Sequence, residues 1–437
     1  MKFKPYPKYK ASGVEWLGDV PENWQLTPVK NIASIVNGYP FDSALFKTDA
    51  GFPLIRIRDL NKSVAATRYL GEFVEQAAIT SNDVLIGMDG EFNVGRWRGH
   101  ERALLNQRMC CIRGNTELVT RFLEYAVPLP LQLINDLTYF TTVKHLSSGQ
   151  VEKLRVAFPT DKELQSLVFF LDRETAKIDT LIAKQGKLIV LLKEKRQTVI
   201  SDAATKGLDP TVPMKASGVE WLGDVPEHWN VAAVGYRYEV ALGKMLDQKK
   251  ITGNHLAPYL RNTDVQWERI NTTALPEMDF GEADRIRYSL RIGDLLVCEG
   301  GEVGRAAIWN VSEGEYFYQK ALHRMRPYDP KSDVPKFMFY LLATASAQGR
   351  FTGSEGRSTI AHLPAEALRA YRFGFPGASE QQAIVAYLEK TAAKIDRLIA
   401  KAQQGIALQK EHRTALISAA VTGKIDVRNE VEVKIAA

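Results

Sequence analysis

The chain has 437 residues, of which 45% are hydrophobic and 25% are charged, and its formal net charge is +6. This length and composition predict a soluble protein of two or three globular domains, and the small positive charge suits either an anionic partner or an ordinary, slightly basic surface. No apolar run reaches the ~18 residues of a membrane helix, and no signal-peptide core follows the basic N-terminus. The three cysteines lack the C-x-x-C spacing of a zinc site. We therefore expect a cytoplasmic protein that does not bind membranes.

Two pairs of matching segments divide the chain into two copies of one plan. KASGVEWLGDVPENW (10–24) and KASGVEWLGDVPEHW (215–229) are identical at 14 of 15 positions. Segments 171–209 and 388–426 align without a gap and are identical at 19 of 39 positions. Self-similarity of this kind indicates a tandem duplication with near-identical ends around a diverged middle. The divergence favours two middles that face different targets, and neutral drift in loops is the alternative.

Each diverged middle is predicted to be a compact mixed α/β domain with long loops. GFPLIRIRDL (51–60), DVLIGM (83–88) and RMCCIRG (108–114) are short apolar runs bounded by Gly, Asp and Asn, as strands are. LVTRFLEYAV (118–127) and VPKFMFYLLATASAQ (334–348) have helical spacing. The strands are too short and irregular for a doubly wound parallel sheet.

The matching C-terminal ends are predicted to be long helices. Residues 163–206 contain no proline and carry apolar residues at three- and four-residue spacing, and the second copy repeats the pattern. Pro159 and Pro376 precede the helices, while Gly207 and Gly423 lie at their ends. Such a helix spans roughly 66 Å at ~1.5 Å per residue. A one-sided apolar stripe of that length needs a partner, and the duplicate helix, running antiparallel about a pseudo-two-fold axis, is the obvious one.

Catalytic motifs are not recognisable in the sequence. It has no G-x-x-x-x-G-K-[ST] phosphate loop, no dinucleotide-binding fingerprint and no Asn-Pro-Pro-aromatic motif. His145 and His362 occupy equivalent places in the two copies, and we favour a structural hydrogen bond at a loop corner for both. The sequence therefore predicts a non-catalytic binding protein.

The tandem plan resembles the DNA-specificity subunit of type I restriction–modification systems. The resemblance rests on SGVEWLGDVPENW (12–24), on KIDTLIAKQGKLIVLLKEKRQTVISDAATKG (177–207) and on KIDRLIAKAQQGIALQKEHRTALISAAVTGKID (394–426). It covers nearly the whole chain, and the phrase that ends in LISAAVTGKID is its most specific part.

This resemblance implies an α+β architecture with internal pseudo-two-fold duplication. Residues 1–158 would form the N-terminal target-recognition domain and 210–375 the C-terminal one. Residues 159–209 would form the first long helix, and 376–437 the second with its tail, paired as an antiparallel coiled coil.

The resemblance also implies a division of labour with partner subunits. Each domain would read one half of a split target in double-stranded DNA, and the helices would act as a ruler for the spacer. The repeated regions would dock two methyltransferase subunits that bind S-adenosylmethionine. Motor-nuclease subunits would use ATP and Mg, so we expect no cofactor, metal or catalytic residue in this chain.

Side chains of the polar loops are the candidate DNA contacts, because a reader positions itself on phosphates and then discriminates base edges. In the first domain they are Arg56, Arg58, Arg96, Arg98, Arg102, Gln107, Arg108 and Lys144. In the second they are Lys244, Lys249, Lys250, Arg261, Arg305, Lys320, Arg350 and Arg357. Arg56 and Arg261 have an alternative role as ion-pair partners of Asp59 and Asp264.

The repeated 15-residue phrase is not expected to read DNA, because two different half-sites would not be read by identical residues. Its Trp16 and Trp221 are instead predicted to pack on the helical scaffold or to bind a methyltransferase. Two rival functions stay open at this point: a coiled-coil scaffold that does not read DNA, and an enzyme with an unrecognised active site.

Overall fold

Two compact units make up the protein in the computed structural model, which describes residues 3–137, 144–247, 252–351 and 362–430. Unit 1 consists of Met1–Gln185 together with Gln404–Ala437, and unit 2 consists of Gly186–Gln403. Each unit therefore contains one diverged domain and parts of both C-terminal helical segments.

Unit 1 is built from short strands and three helices before its long helical segments. The strands are β1 (Tyr9–Ala11), β2 (Asp19–Pro21), β3 (Gln25–Pro28), β4 (Ala33–Asn37), β5 (Phe46–Lys47), β6 (Phe52–Ile55), β7 (Arg68–Tyr69), β8 (Ala78–Ile79), β9 (Val84–Gly87), β10 (Val94–Arg96), β11 (Ala103–Leu105), β12 (Met109–Gly114) and β13 (Arg155–Phe158). The helices are α1 (Glu117–Ala126), α2 (Pro128–Leu137) and α3 (Ser148–Lys153).

In the described part of unit 2, three shorter helices, α5 to α7, and thirteen strands form the diverged domain. The strands are β14 (Met214–Ala216), β15 (Asp224–Pro226), β16 (Asn230–Ala233), β17 (Tyr238–Leu242), β18 (Leu256–Leu260), β19 (Val265–Gln266), β20 (Arg269–Ile270), β21 (Glu277–Asp279), β22 (Leu295–Cys298), β23 (Ala306–Ile308), β24 (Phe317–Tyr318), β25 (Leu322–Pro327) and β26 (Arg372–Phe375). The helices are α5 (Glu282–Tyr288), α6 (Pro335–Ala347) and α7 (Ala365–Ala370).

The sheet topology preserves the duplication that the ends of the sequence indicated. A four-stranded sheet has the order β10-β9-β12-β4 in unit 1 and β23-β22-β25-β17 in unit 2. A parallel pair, β6 with β11 and β18 with β24, lies in a further sheet of each unit. The mixed α/β prediction for the middles is thus confirmed, and the diverged sequences retain one strand plan.

The two long helices are α4 (Asp161–Lys206) and α8 (Ala378–Val421), and each contributes residues to both units. Within unit 1, Arg413 Nε lies 3.0 Å from Asp179 Oδ1. Within unit 2, the equivalent pair joins Arg196 Nε to Asp396 Oδ1, also at 3.0 Å. The pairing is antiparallel as predicted, because residues nearer the start of α4 meet residues nearer the end of α8.

The second tryptophan of the repeated phrase is a core residue in each unit. Trp24 and Trp229 are fully buried, and each lies against the glycine that ends a long helix, Gly423 in unit 1 and Gly207 in unit 2. Both glycines have positive φ (69° and 80°), the left-handed conformation of a helix C-terminus. The repeated phrase therefore packs against the C-terminal end of α8 in unit 1 and against that of α4 in unit 2.

The same phrase also holds the start of the other long helix. Asn23 Nδ2 donates to both carboxylate oxygens of Glu163 at 2.9 and 2.8 Å. His228 takes its place in unit 2, with Nε2 2.8 Å from Glu380 Oε2, and Trp229 Nε1 donates to Glu380 Oε1 at 3.0 Å. The single difference between the two phrases, Asn23 against His228, thus falls on a residue that binds an equivalent glutamate.

Candidate nucleic-acid interface

Four pieces of chain meet where strands of two sheets of unit 1 end. The turn between β11 and β12 joins β6 through a hydrogen bond from Asn106 N to Ile55 O (3.1 Å). Met88 N, just after β9, donates to Arg108 O at 2.9 Å, and Gly90 N donates to Lys144 O at 3.2 Å. We call the polar residues gathered there edge 1: Asp89, Gln107, Arg108, Lys144 and His145.

A carboxylate organises the side chains of edge 1. His145 Nδ1 lies 2.8 Å from Asp89 Oδ1, and Arg108 Nε lies 3.6 Å from Asp89 Oδ2. A carboxylate only accepts hydrogen bonds, so Nδ1 carries the proton and donates it. Lys144 Nζ donates to Asn135 Oδ1, while Gln107 and Arg108 are exposed. Edge 1 therefore presents amide and guanidinium donors suited to phosphate oxygens or base edges.

Unit 2 has the equivalent edge. Gln319 N donates to Leu260 O at 3.0 Å and Lys320 N donates to Lys244 O at 2.9 Å. Leu363 N donates to Glu299 O at 2.8 Å, which brings the segment around His362 to the end of β22. We call this set edge 2: Lys244, Glu299, Gln319, Lys320 and His362.

Edge 2 also pairs a histidine with a carboxylate. Glu299 is buried, and its Oε1 lies 3.2 Å from Nε2 of the exposed His362. Lys244 Nζ lies 2.6 Å from Asp284 Oδ2, so much of its charge is neutralised within the unit. Lys320 is exposed and has no side-chain ion pair among the described residues. Of the two lysines, Lys320 is the one whose charge no carboxylate of the described residues pairs with.

Other predicted contacts of the first domain lie away from edge 1. Arg96 is buried, with Nε 2.6 Å from Glu124 Oε2, and Arg98 approaches the same carboxylate at 3.6 Å. Arg58 Nη2 donates to Thr67 Oγ1 at 2.7 Å. Arg102 pairs with Glu75 and lies over the ring of Phe73. Arg96 is therefore a structural ion-pair partner in this structure, whereas Arg58 and Arg102 stay on the surface.

Arg56 and Arg261 follow the equivalent strands β6 and β18 and differ in their partners. Arg261 makes two hydrogen bonds to Asp264, from Nε at 2.9 Å and from Nη2 at 2.8 Å. Burial alone would raise the pKa of Asp264, but the hydrogen bonds from Arg261 outweigh it and lower that pKa. Only the backbone N of Arg56 bonds to Asp59, at 3.2 Å, so the ion-pair alternative holds for Arg261.

The remaining predicted residues of the second domain are divided between structural contacts and open surface. Arg305 Nη2 donates to the backbone O of Asn262 at 3.0 Å and is mostly buried. Arg350 is exposed. Lys249, Lys250 and Arg357 lie outside the described residues, so their place at the interface stays a prediction.

Trp16 and Trp221 differ in exposure. Trp16 is 37% exposed, and Trp221 is half-buried, with its ring edge-to-face on Phe373 of β26 at 5.5 Å. Trp221 packs against a core cluster that includes Ile384 and Leu388 of α8. The role of Trp16 and Trp221 in binding a partner stays a prediction.

Each unit has a cleft where its diverged domain meets the long helices. In unit 1 the cleft measures about 1110 Å³ and is lined by charged side chains, including Arg96, Glu124 and Arg413. In unit 2 it measures about 590 Å³ and is lined by aromatic rings, including Trp267 and Phe339. Equivalent places in the fold therefore carry different chemistry, as the diverged sequences imply.

Sequence reasoning missed Asp89 and Glu299, the carboxylates that hold the two histidines. When the two units are compared through their strand pairing, Asp89 is equivalent to Gly300 and Met88 is equivalent to Glu299. The carboxylate of unit 2 therefore lies one residue earlier along the chain than that of unit 1. The only signal in the sequence was the equivalent placement of His145 and His362; the predicted hydrogen bond is present at His145, whereas His362 makes an ion-pair contact with Glu299.

The described residues contain no group of three or more His, Cys, Asp or Glu side chains arranged to hold a metal ion. Across those same residues, every helix is too short or too polar to span a bilayer.

Comparison with known proteins agrees with the duplicated plan. The family model described as "Type I restriction modification DNA specificity domain" matches residues 21–189 and again 226–407. The EcoBI type I restriction enzyme specificity subunit of Escherichia coli is 26% identical over 436 residues, covering 96% of this chain and 90% of that protein. The MjaVIII specificity subunit of Methanocaldococcus jannaschii is 20% identical over 420 residues, covering 94% and 95%.

Solved structures share the fold. A chain from a type I R-M system, solved to describe complex assembly and conformational transition, has a TM-score of 0.64 at 17% identity and covers 93% of this chain and 99% of its own length. The HsdS subunit from Thermoanaerobacter tengcongensis has a TM-score of 0.53 at 16% identity, with coverage of 93% and 98%. Since two copies of the family model account for well over half of the chain, the protein belongs to the type I restriction–modification DNA specificity family, and its function is the sequence-specific recognition of DNA.

Proposed function

We propose that this chain is the non-catalytic specificity subunit of a type I restriction–modification complex, with one half of a split double-stranded DNA target read by each unit. The observation that carries the proposal is the duplicated edge. Edge 1 and edge 2 occupy the same place in the strand plan and share a glutamine, Gln107 and Gln319, but the next residue differs, Arg108 against Lys320. Equivalent placement with different donors is what two readers of different half-sites require.

The long helices would set the spacing between the half-sites. Each of α4 and α8 is continuous over more than forty residues and contributes to both units. Two readers joined by stiff elements bind strongly only when both half-sites lie at the matching separation, because the second contact is then nearly intramolecular.

Two copies of one partner would dock on the helices. Leu181 and Leu398 are equivalent positions with 46% and 44% exposure, and Leu191 and Leu408 are equivalent positions with 52% and 58%. Exposed leucines repeated on duplicated helices suit two identical protein partners, since large apolar side chains at the surface are typical of interfaces. We assign these surfaces to two methyltransferase subunits.

Those partners would carry the chemistry. S-adenosylmethionine would bind to the methyltransferase subunits, and ATP and Mg to the motor-nuclease subunits, all in the cytoplasm.

A domain exchange tests the proposal. Residues 25–158 would be replaced by the corresponding domain of another family member, and methylated adenines would be mapped across the genome of cells that express the complex. We expect one half of the split motif to change while the other half and the spacer stay the same. The reciprocal exchange of residues 230–375 should change only the other half. A change in both halves after either exchange would contradict the assignment of one half-site to each unit.

A further inference from the structure

We propose that His145 and His362 are a duplicated pair of DNA-backbone contacts, each held in place by a carboxylate, so that each unit grips a phosphate beside the half-site it reads. This inference rests on the proposed function, and it adds two binding residues and a pH dependence to it.

In unit 1 the imidazole is fixed but accessible. His145 Nδ1 donates to Asp89 Oδ1 at 2.8 Å, yet 49% of the His145 side chain is exposed. Its Nε2 makes no hydrogen bond within the described residues, so one ring nitrogen is held and the other is available. Arg108, which shares Asp89, and Lys144, the preceding residue, place two further cations beside the ring.

Unit 2 has the same arrangement of a histidine and a carboxylate, but a different ring nitrogen faces the carboxylate. His362 faces its carboxylate through Nε2, which lies at ion-pair distance, 3.2 Å, from Glu299 Oε1, and 55% of its side chain is exposed. Nδ1 is therefore the nitrogen left without a partner among the described residues. Lys320 lies next to the strand end that carries Glu299, because Glu299 N donates to Ala321 O at 3.0 Å.

The differences between the two pairs argue against a role that is only structural. The carboxylate changes from Asp to Glu, moves by one position along the strand and binds the other ring nitrogen. The backbone bridges Asp89–His145 and Gly300–His362 already tie these segments together without any side chain. What both units keep is an exposed imidazole with one nitrogen facing a carboxylate and the other pointing away from it, beside a predicted DNA contact.

Phosphate is the ligand that this arrangement fits. A protonated imidazole has two N–H donors, and with one donated to the carboxylate the second can donate to a phosphate oxygen as a charge-assisted hydrogen bond. Contacts of this kind position a protein on the duplex without reading bases. They are also equally useful to two units that read different sequences, which explains why diverged domains would both keep them.

Such a contact would make DNA binding depend on pH, because histidine changes charge between pH 5 and 8. Among the described residues, the charged groups near His145 are Asp89, Arg108 and Lys144. In the same part of the chain, those around His362 are Glu299, Lys320 and His323, with Arg369 behind His323. Burial lowers the pKa of His323, and its Nε2 donates to Leu363 O at 2.7 Å, so it is a neutral core residue. The expected sign is tighter binding as the pH falls, because protonation adds a positive charge facing the DNA.

The test uses the complex of the full chain with its methyltransferase partner on DNA that carries its methylated motif. His145→Asn and His362→Gln place an amide donor where the anchored Nδ1 or Nε2 was, and so keep the carboxylate bond while removing the charge. Affinity would be measured over a salt series at pH 6.5 and at pH 8.

The slope of log Kobs against log salt is negative. At pH 6.5 each variant is expected to make it less steep by about 0.9, the effect of one lost phosphate contact. Each should also remove about half of the affinity that the wild type gains between pH 8 and pH 6.5, and the double variant should remove all of it. The methylated sequence should not change.

Two further variants separate binding from folding. His145→Lys should restore the salt slope but not the pH dependence, since its charge is constant over this range. His100→Gln alters an exposed histidine of unit 1 that has no carboxylate partner among the described residues, and it should change neither measurement.

The inference is overturned if the two neutral variants retain the wild-type salt slope and pH dependence, or if they lower only the thermal unfolding temperature. Failure of the proposed function looks different, because the wild-type complex itself would then show no preference for a split motif.

Discussion

At the scale of single residues, the two copies use the same tryptophan in different ways. Trp229 Nε1 donates to Glu380 Oε1 at 3.0 Å at the start of α8. Trp24 occupies the equivalent place, but its buried Nε1 has no hydrogen-bond partner among the described residues. In unit 1, Asn23 and Thr160 satisfy the equivalent Glu163 instead. One change to each tryptophan therefore isolates the contribution of one hydrogen bond.

Trp229→Phe is expected to destabilise unit 2 by about 1.5–3 kcal/mol, because it removes a buried hydrogen bond to a charged group. Trp24→Phe is the matched control and should cost less, since it removes a donor that has no acceptor. Thermal unfolding followed by circular dichroism would compare the two variants, and hydrogen exchange would locate the loss in β14–β16. Equal destabilisation by both variants would show that ring packing, not the hydrogen bond to Glu380, dominates.

The structure brings some of the predicted interface residues together and separates others, and their contact with DNA stays a prediction. Gln107, Arg108 and Lys144 were chosen for their residue type and do lie together at edge 1. Arg96 was chosen for the same reason but is buried against Glu124 of α1. An ion pair between a strand and a helix that follows it depends on tertiary packing, which residue type and local spacing do not encode.

At the scale of elements, the long helices were predictable because their signal is local. The three- and four-residue spacing and the flanking Pro and Gly placed the first helix at 163–206, and α4 spans Asp161–Lys206. The short strands were recognised as strands, but their parallel and antiparallel partners were not predicted. Strand pairing joins residues far apart in sequence, such as Leu104 with Leu54, and single runs of four to six residues carry no information about it.

Helix α4 contains a glycine in its interior, and this predicts a stabilising substitution. A Cβ added at Gly186 meets no atom within 4 Å, so Gly186→Ala should stabilise the protein by about 0.5–1 kcal/mol through reduced backbone freedom in the unfolded chain. At Gly405 of α8, a Cβ would lie 2.9 Å from Gln185 Nε2. Gly405→Ala should therefore gain less, because Gln185 must move. A fall in the unfolding temperature of Gly186→Ala would contradict the open space at this position.

At the scale of the whole molecule, recognition of a split site requires both readers and a defined separation. We propose that the separation between the half-sites depends on the helices alone. The sequence of each half-site then depends on its recognition domain. These two properties should then change independently.

Insertion of seven helix-forming residues after Gln185 in α4, and of seven after Gln403 in α8, tests that independence. Seven residues continue the apolar stripe with little rotation and add roughly 10.5 Å, which corresponds to about three base pairs. We expect a methylated motif with unchanged half-sites and a spacer longer by about that amount. Insertion in α4 alone is the control and should destabilise the protein, since the pairs Asp179–Arg413 and Arg196–Asp396 cannot then both keep their register. An unchanged spacer in the double insertion would show that the helices do not set it.

Unit 1 is assembled from two stretches of chain that are far apart in sequence. Asp426 N donates to Lys4 O at 2.8 Å, and Tyr9 Oη donates to Gly423 O at 3.0 Å, across more than 400 residues. Unit 2 is continuous from Gly186 to Gln403. During synthesis, all residues of unit 2 leave the ribosome before unit 1 has received its last helical segment. Because contacts distant in sequence form late, unit 1, whose synthesis starts first, is the unit that finishes folding last. A chain interrupted after residue 403 would contain all of unit 2 but would lack the second helical segment of unit 1.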